Sequence, residues 1–459
     1  MLIHLPLFIA ALLASQLLCL WIGRKSSHTS SSQEDYFLAK RTVRFFPLMM
    51  TFVATQIGGG LVLGAADEAY IYGWSVLCYP LGMALGFILL GLGVGKKLYA
   101  LHLGTIAQIF EVKYHSTTLR KIASTLSMFS LFMIFVAQIV ASKKFMLAIG
   151  FHNPLFFYVF WGIVILYTSL GGLKAVISTD IVQALAFIAI FLVCLGFAVC
   201  NLSIPLPAIF DHGVQLTLTH MASLQSQKLF GWICMPLLFM LIEQDMGQRC
   251  FAADSYKTVV KSTLTSAVII LLFACIPIFF GISASATHVT SLGSESILMK
   301  VVQLTSNPYC SALFACGILL IIISTADALL NAIASNLSLD FPFFHKQPLK
   351  ISKMITIGIA CLGIWFSCYF QNIVDVLIQS YELSISCLLI PIMMALFQKK
   401  PSPSSAIGSM VGGLVGFVLF RCVPHTLPKE FLSLLLSALG FAFGSLTSRY
   451  AILSQKSLR

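Results

Sequence analysis

The sequence predicts an all-α polytopic membrane protein. Residues are 58% hydrophobic and only 10% charged, where a soluble domain carries about 25% charged residues. The apolar residues gather into runs of the roughly 20 residues that cross a bilayer core. Thirteen runs can be drawn, near 4–22, 45–70, 74–95, 122–148, 154–173, 181–201, 229–244, 262–283, 311–338, 352–369, 374–397, 405–424 and 430–448. With that number, nearly all lysines and arginines fall on one side, in the loops after the odd-numbered runs. Only Lys143, Lys144, Lys228, Lys300, Arg421 and Lys429 stay on the other. The positive-inside rule then places the N-terminus outside and the C-terminus in the cytoplasm. The expected location is a bacterial plasma (inner) membrane, with the lipid bilayer as partner. The placement of the charges excludes nucleic acid as a partner, despite a net charge of +12.

The first run, Leu5 to Trp21, has no basic segment before it and no small-residue cleavage site after it, so a retained helix is expected rather than a signal peptide. The second contains ATQIGGGLVLGAADE, residues 54–68. Three consecutive glycines weaken a helix by about 1 kcal/mol each relative to alanine. They serve either close helix packing or a broken helix whose freed carbonyls bind an ion. Asp67 and Glu68 beyond them either attract a cationic or zwitterionic solute or form a solvated vestibule face. Tyr72, Trp74 and Tyr79 suit an interfacial aromatic belt. Lys143 and Lys144 end the fourth run, where they either snorkel or recruit an anion.

The seventh run is short and interrupted by Pro236, which removes a backbone donor. Interruptions at the start of two successive groups of five helices are the mark of an inverted repeat. Segment 202–228 reads as a loop, and Ser294 to Leu304 as a short amphipathic helix with Ile297, Leu298, Val301 and Val302 on one face. The ninth run holds IIISTADALLNAIASN, residues 321–336. On a helical wheel Ser324, Asn331 and Ser335 nearly align, flanked by Asp327 and Thr325. The Ile321 carbonyl points toward the Ser324 and Thr325 hydroxyls. That arrangement is part of an oxygen cage for a small hard cation, or else hydroxyls bonding their own backbone. In the eleventh run Glu382 is an intramembrane carboxylate; it meets a cationic group of the solute, takes a proton, or is wetted near the outer interface. The 13 cysteines show no CxxC pair and no metal spacing, so they read as small apolar residues. No GxxxxGK[ST] loop is present.

Four stretches together resemble the sodium/solute symporter family, which includes proline, pantothenate and sugar symporters: DYFLAKRTVRFFPLMMTFVATQIGGG (35–60), YTSLGGLKAVISTDIVQ (167–183), QRCFAADS (248–255) and STADALLNAIASNLSLD (324–340). The resemblance covers 35–340; the remainder matches in helix count and little else. It implies a leucine-transporter-like 5+5 core, with a first helix and cytoplasmic loop (1–44), repeats at 45–201 and 202–397, and two further helices (398–459), all in one transmembrane domain. It implies a sodium site formed by the carbonyls of Ala54, Ile57 and Ile321 with the hydroxyls of Ser324 and Thr325. It also implies an exit for sodium past Asp180, whose other role would be capping, with Thr179, at the start of the sixth helix. Gln56, Gly58, Gly59, Phe239 and Glu382 are the substrate and gate candidates, Phe239 standing where sugar-transporting members carry a gating aromatic. Two departures matter. Gln56 occupies a position where proline-type members carry Asp, and Pro236 replaces an Asn of the sugar-type members. The expectation is a sodium-coupled symporter of a small organic solute, not an enzyme, with no organic cofactor. A proton-coupled symporter using Glu382 or Asp327, and a sensor or channel on the same scaffold, are the alternatives.

Overall fold

The computed structural model describes residues 3–27, 32–151, 153–202, 204–221, 226–289, 296–345, 348–370, 373–398, 401–423 and 427–457. Lys346, Lys399, Lys400 and Arg459, which the predicted topology puts on its basic side, and Ser294 lie outside them. The fold is all-helical. The helices are α1 (Leu5–Ser27), α2 (Gln33–Leu38), α3 (Phe45–Gln56), α4 (Ala65–Tyr72), α5 (Cys78–Leu89), α6 (Gly95–Leu101), α7 (Gln108–Tyr114), α8 (Thr117–Ala148), α9 (Pro154–Asn201), α10 (Leu206–Met221), α11 (Ser226–Phe239), α12 (Gln244–Ala252), α13 (Tyr256–Ala286), α14 (Ile297–Thr305), α15 (Pro308–Asp340), α16 (Pro342–His345), α17 (Leu349–Phe366), α18 (Ile373–Ser384), α19 (Ile390–Phe397), α20 (Pro403–Cys422) and α21 (Lys429–Ser457). Among the described residues, eleven helical stretches are long and apolar enough to cross a membrane. Two of them, Gly60–Leu101 and Pro154–Asn201, each contain parts of two of the sequence runs.

α15 is the central mast. It packs on α1, α3, α8, α9, α12 and α17, and 94% of its most apolar stretch is buried, against 22% for α1 and for α21. The outer helices instead expose large apolar side chains such as Leu17, Trp21, Leu92, Leu155, Leu272, Leu362 and Phe443. With no water in the hydrocarbon to solvate polar groups, that is the surface a bilayer favours.

α9 turns sharply at Gly172, where φ is +60°. A Cβ there would fall 2.3 Å from the Tyr36 carbonyl oxygen, and the Tyr36 hydroxyl donates to Ser169 O at 2.8 Å. Only glycine allows both the left-handed turn and this approach of α2. The GG of the 167–183 stretch has a packing reason.

Several expectations are corrected. Segment 202–228 is not a simple loop, because it contains α10. The seventh run does not stop near 244: after a break it continues as α12 to Ala252. Arg249 is therefore not a loop charge but fully buried. The break itself falls at 240–243, just beyond Pro236, which is accommodated inside α11. The short helix after 294 is present as α14, with Ile297, Leu298, Val301 and Val302 all buried. α21 runs on through Arg449 and Lys456.

Candidate functional site

The site is built where two helices stop and restart. At the first break α3 ends at Gln56, and Ile57 leaves the helical region at φ −80°, ψ 85°. Helix resumes at Gly60 in an over-wide turn. Carbonyls freed there meet α15. Ser324 Oγ lies 3.0 Å from Ala54 O and 2.9 Å from Ile321 O. Thr325 Oγ1 lies 3.0 Å from Thr55 O, 3.5 Å from Ile57 O and 3.4 Å from Ile321 O. Each hydroxyl has one proton to donate and several carbonyls in reach, so the cluster holds more acceptors than donors. Ala54, Ile57, Ile321, Ser324 and Thr325 are thus brought together, with the Thr55 carbonyl as an unforeseen neighbour. Gly58 packs against Thr325; a Cβ would sit 3.0 Å from Oγ1. Gly59 N–H donates to Gln138 Oε1 at 3.1 Å.

At the second break α11 ends at Phe239 and α12 begins at Gln244, with Glu243 extended at φ −67°, ψ 128°. The residues that follow are polar yet buried: Glu243, Gln244, Asp245, Gln248 and Arg249. Arg249 bridges to α3 and α9. It donates to Thr51 Oγ1 at 2.9 Å and to Thr55 Oγ1 at 2.6 Å, and approaches Asp180 Oδ2 at 3.5 Å. Thr51 Oγ1 donates to the same carboxylate oxygen at 2.5 Å. Gln56 Nε2 donates to Glu243 Oε2 at 3.1 Å, which joins the two breaks directly.

The polar arc of α15 now has an account. Ser324 and Thr325 face α3. Asp327 accepts from the Tyr167 hydroxyl at 3.0 Å. Asn331 donates to Gln248 Oε1 at 3.3 Å, and Ser335 Oγ accepts from Gln244 Nε2 at 3.2 Å.

Between the breaks lies a cavity of about 30 Å³, whose walls include Gln56, Gly58, Tyr79, Gln138, Glu243, Asp245, Thr325 and Tyr381. A second cavity of about 260 Å³ adjoins it, sharing Gly60, Tyr79, Leu377 and Tyr381, and is walled by Glu68, Lys228, Trp232, Pro236 and Glu430. Glu68 pairs with Lys228 at 2.8 Å. At the opposite face Asp340 accepts from Thr105 at 2.6 Å, Ser124 at 2.8 Å and Arg120 at 2.9 Å, tying the end of α15 to α8.

Three sequence expectations are corrected here. Glu382 does not reach the central cavity. It is buried against Arg421 at 3.1 Å and Lys429 at 3.5 Å from the two C-terminal helices, while its neighbour Tyr381 lines the cavity. Tyr79 belongs to the cavity wall rather than to an aromatic belt. Asp180 and Thr179 do not cap a helix start, because helix continues through both; Thr179 Oγ1 donates to Val176 O at 2.9 Å. Phe239 is one ring away from the cavity, its centroid 4.5 Å from that of Tyr381. Glu243, Asp245, Gln138 and Tyr381 were not foreseen. The signal for the first two was available: acidic residues at 243 and 245 and Arg249 interrupt an apolar stretch that resumes at Cys250 and Phe251.

The family model for the sodium:solute symporter family matches residues 36–416. The chain belongs to that family. A sodium/proline symporter of Haemophilus influenzae is 25% identical, over 93% of this chain and 90% of that one. A sodium/proline symporter of Escherichia coli K12 is 22% identical, over 73% and 71%. Among solved structures, a Na⁺-coupled sialic acid symporter in a substrate-bound outward-open state superposes with a TM-score of 0.79 at 18% identity, covering 96% of each chain. At that identity the likeness is one of fold, and the fold is leucine-transporter-like. A symporter of this family is an integral membrane protein with sodium and a small molecule as partners.

Proposed function

We propose that this chain imports a small organic solute, an amino acid such as proline or a pantothenate-like acid, driven by sodium and working by alternating access. The observation that carries the reading is the meeting of Ser324 and Thr325 with the carbonyls freed at residues 54–57. An uncharged oxygen set holds a monovalent cation loosely enough to release it, where a strongly acidic set favours divalent ions. Sodium bound there by Ala54, Ile57, Ile321, Ser324 and Thr325 holds α3 to α15 and favours the outward-facing state, in which the inner ends stay tied through Asp340. Solute enters through the larger cavity and settles between the breaks. The repeats at 45–201 and 202–397 then rock, and sodium leaves inward past Asp180. The N-terminus lies outside, and the membrane is a bacterial inner membrane. Each sodium moved through 100 mV supplies about 2.3 kcal/mol, and no covalent step is required.

The test is the double variant Ser324→Ala/Thr325→Ala in purified protein, with sodium replaced by potassium as the comparison. Wild type is expected to unfold at a higher temperature in sodium, and the variant to lose that response, with sodium affinity at least about tenfold weaker. An unchanged sodium response in the variant rejects the site. Sodium-independent uptake abolished by an uncoupler turns the reading to a proton, with Asp327 in place of the engaged Glu382 as carrier.

A further inference from the structure

The second break poses an electrostatic problem that a sodium cage at the first does not solve. Asp180, Glu243, Asp245 and Asp327 are all buried and lie within electrostatic reach of one another through Arg249. Among the described residues Arg249 is the one buried lysine or arginine. Buried carboxylates without a counter-charge are costly. Asp340 and Glu382, also buried, each have their own cations; the group around Arg249 has four carboxyls to one cation.

Two of those carboxylates face the cavity. Glu243 holds one hydrogen bond, from Gln56. Asp245 is fully buried, its carboxylate beside the Glu243 carboxyl and the Met246 amide with no hydrogen bond of full geometry to either oxygen; Arg249 Nη1 stands 3.7 Å from Oδ2, beyond hydrogen-bond range. The small cavity is sized for a compact head group, and it is walled by the rings of Tyr79 and Tyr381, whose faces attract cations. The adjoining larger cavity, lined by Trp232 and Met235, has room for the rest of a solute.

We infer that the transported solute carries a protonated amine, and that Glu243 and Asp245 receive its N–H groups between the two breaks. The inference rests on the symporter reading and narrows it. A zwitterionic or cationic amine fits, and a nitrogen-free anion does not. Ammonium protons are donors only, which matches a pair of carboxyls with one hydrogen-bonding side-chain donor, Gln56, between them. The amine also adds a second cation beside Arg249. Gln56 then acts as a positioning residue that orients Glu243.

The experiment measures binding to wild-type protein in lipid nanodiscs by thermal shift, in sodium and in potassium chloride. The probes are pyrrolidine, piperidine, benzylamine and L-proline, each against its nitrogen-free counterpart: cyclopentanol, cyclohexanol, benzyl alcohol and cyclopentanecarboxylate. At least one amine is expected to bind about tenfold or more tightly than its counterpart, as a charge-assisted hydrogen bond implies. Asp245→Asn and Glu243→Gln are each expected to erase that preference. The inference is overturned if no amine outbinds its counterpart, which needs no variant to establish, or if the preference survives both substitutions. It fails separately from the symporter reading. Amine preference without any sodium effect removes sodium coupling and leaves the amine site; a sodium effect without amine preference does the reverse.

Discussion

At 57–59 and again at 240–243 an apolar helix stops and restarts, and the two interruptions present opposite chemistry to the same small cavity. The first offers uncharged groups, from Thr55, Gln56, Gly58 and Thr325. The second offers Glu243 and Asp245, backed by Arg249. Backbone dipoles carry no net charge, so the first break survives burial with its hydroxyls bonded to carbonyls. The second is tolerable only as a charge network. On the function proposed above, the first break takes an ion that comes and goes, while the second holds a permanent internal cation, Arg249. Gln56 is where they touch.

The largest effect expected from breaking this contrast is at Arg249. Arg249→Ala leaves Asp180 and Asp245 without their guanidinium and should cost about 3–5 kcal/mol, the toll of an orphaned buried charge. Thermal unfolding in detergent reads it directly. Adding Asp180→Asn to that variant should restore part of the loss, because one orphaned charge is then gone. No destabilisation by Arg249→Ala would mean that the second break is not a charge network.

How far the sequence revealed these two regions follows from the same contrast. Glycines and hydroxyls inside an apolar run stand out without ending it, so the break at Gly58–Gly60 and the arc on residues 321–336 were both visible. Charges do end a run when hydropathy is the guide. The predicted run thus ends at 244, just past Glu243, with Asp245 and Arg249 read as loop, and α12 is missed with them. The error at Glu382 has a different cause. Its partners Arg421 and Lys429 stand 39 or more residues away in sequence, and only the packing of α20 and α21 on α18 and its continuation reveals that the charge is already matched. The membrane-spanning, all-helical character was legible because membrane helices need length and apolarity, both local properties, whereas eleven stretches rather than thirteen are long and apolar enough to cross among the described residues.

A smaller effect sharpens the contact between the breaks. Gln56→Ala removes the amide that donates to Glu243 at 3.1 Å. A hydrogen bond to a charged group is worth about 1.5–3 kcal/mol, so a moderate drop in unfolding temperature is expected, together with weaker amine binding. Sodium stabilisation should change less, since the Gln56 side chain is outside the oxygen cluster. Equal losses of sodium and amine binding would show that the two breaks act as one unit rather than as joined parts.

The smallest expected effect on stability is at the first break and is the most selective. Gly58→Ala adds a methyl 3.0 Å from Thr325 Oγ1 and 3.4 Å from its Cγ2. Displacing Thr325 costs about 1–3 kcal/mol if the neighbour cannot yield. Alanine also removes backbone freedom from the unfolded chain, a gain of about 0.4–1 kcal/mol at a position outside the left-handed region such as Gly58. The two oppose each other, and the unfolding temperature without sodium should move little. Sodium stabilisation should nonetheless fall, because the methyl pushes one hydroxyl away from the Thr55 and Ile57 carbonyls. Amine binding at Glu243 and Asp245 should persist when measured in potassium. A thermal-shift titration of sodium against this variant separates the two breaks: loss of the sodium response with amine preference intact places the neutral cluster and the carboxylates in distinct roles, and loss of both would merge them.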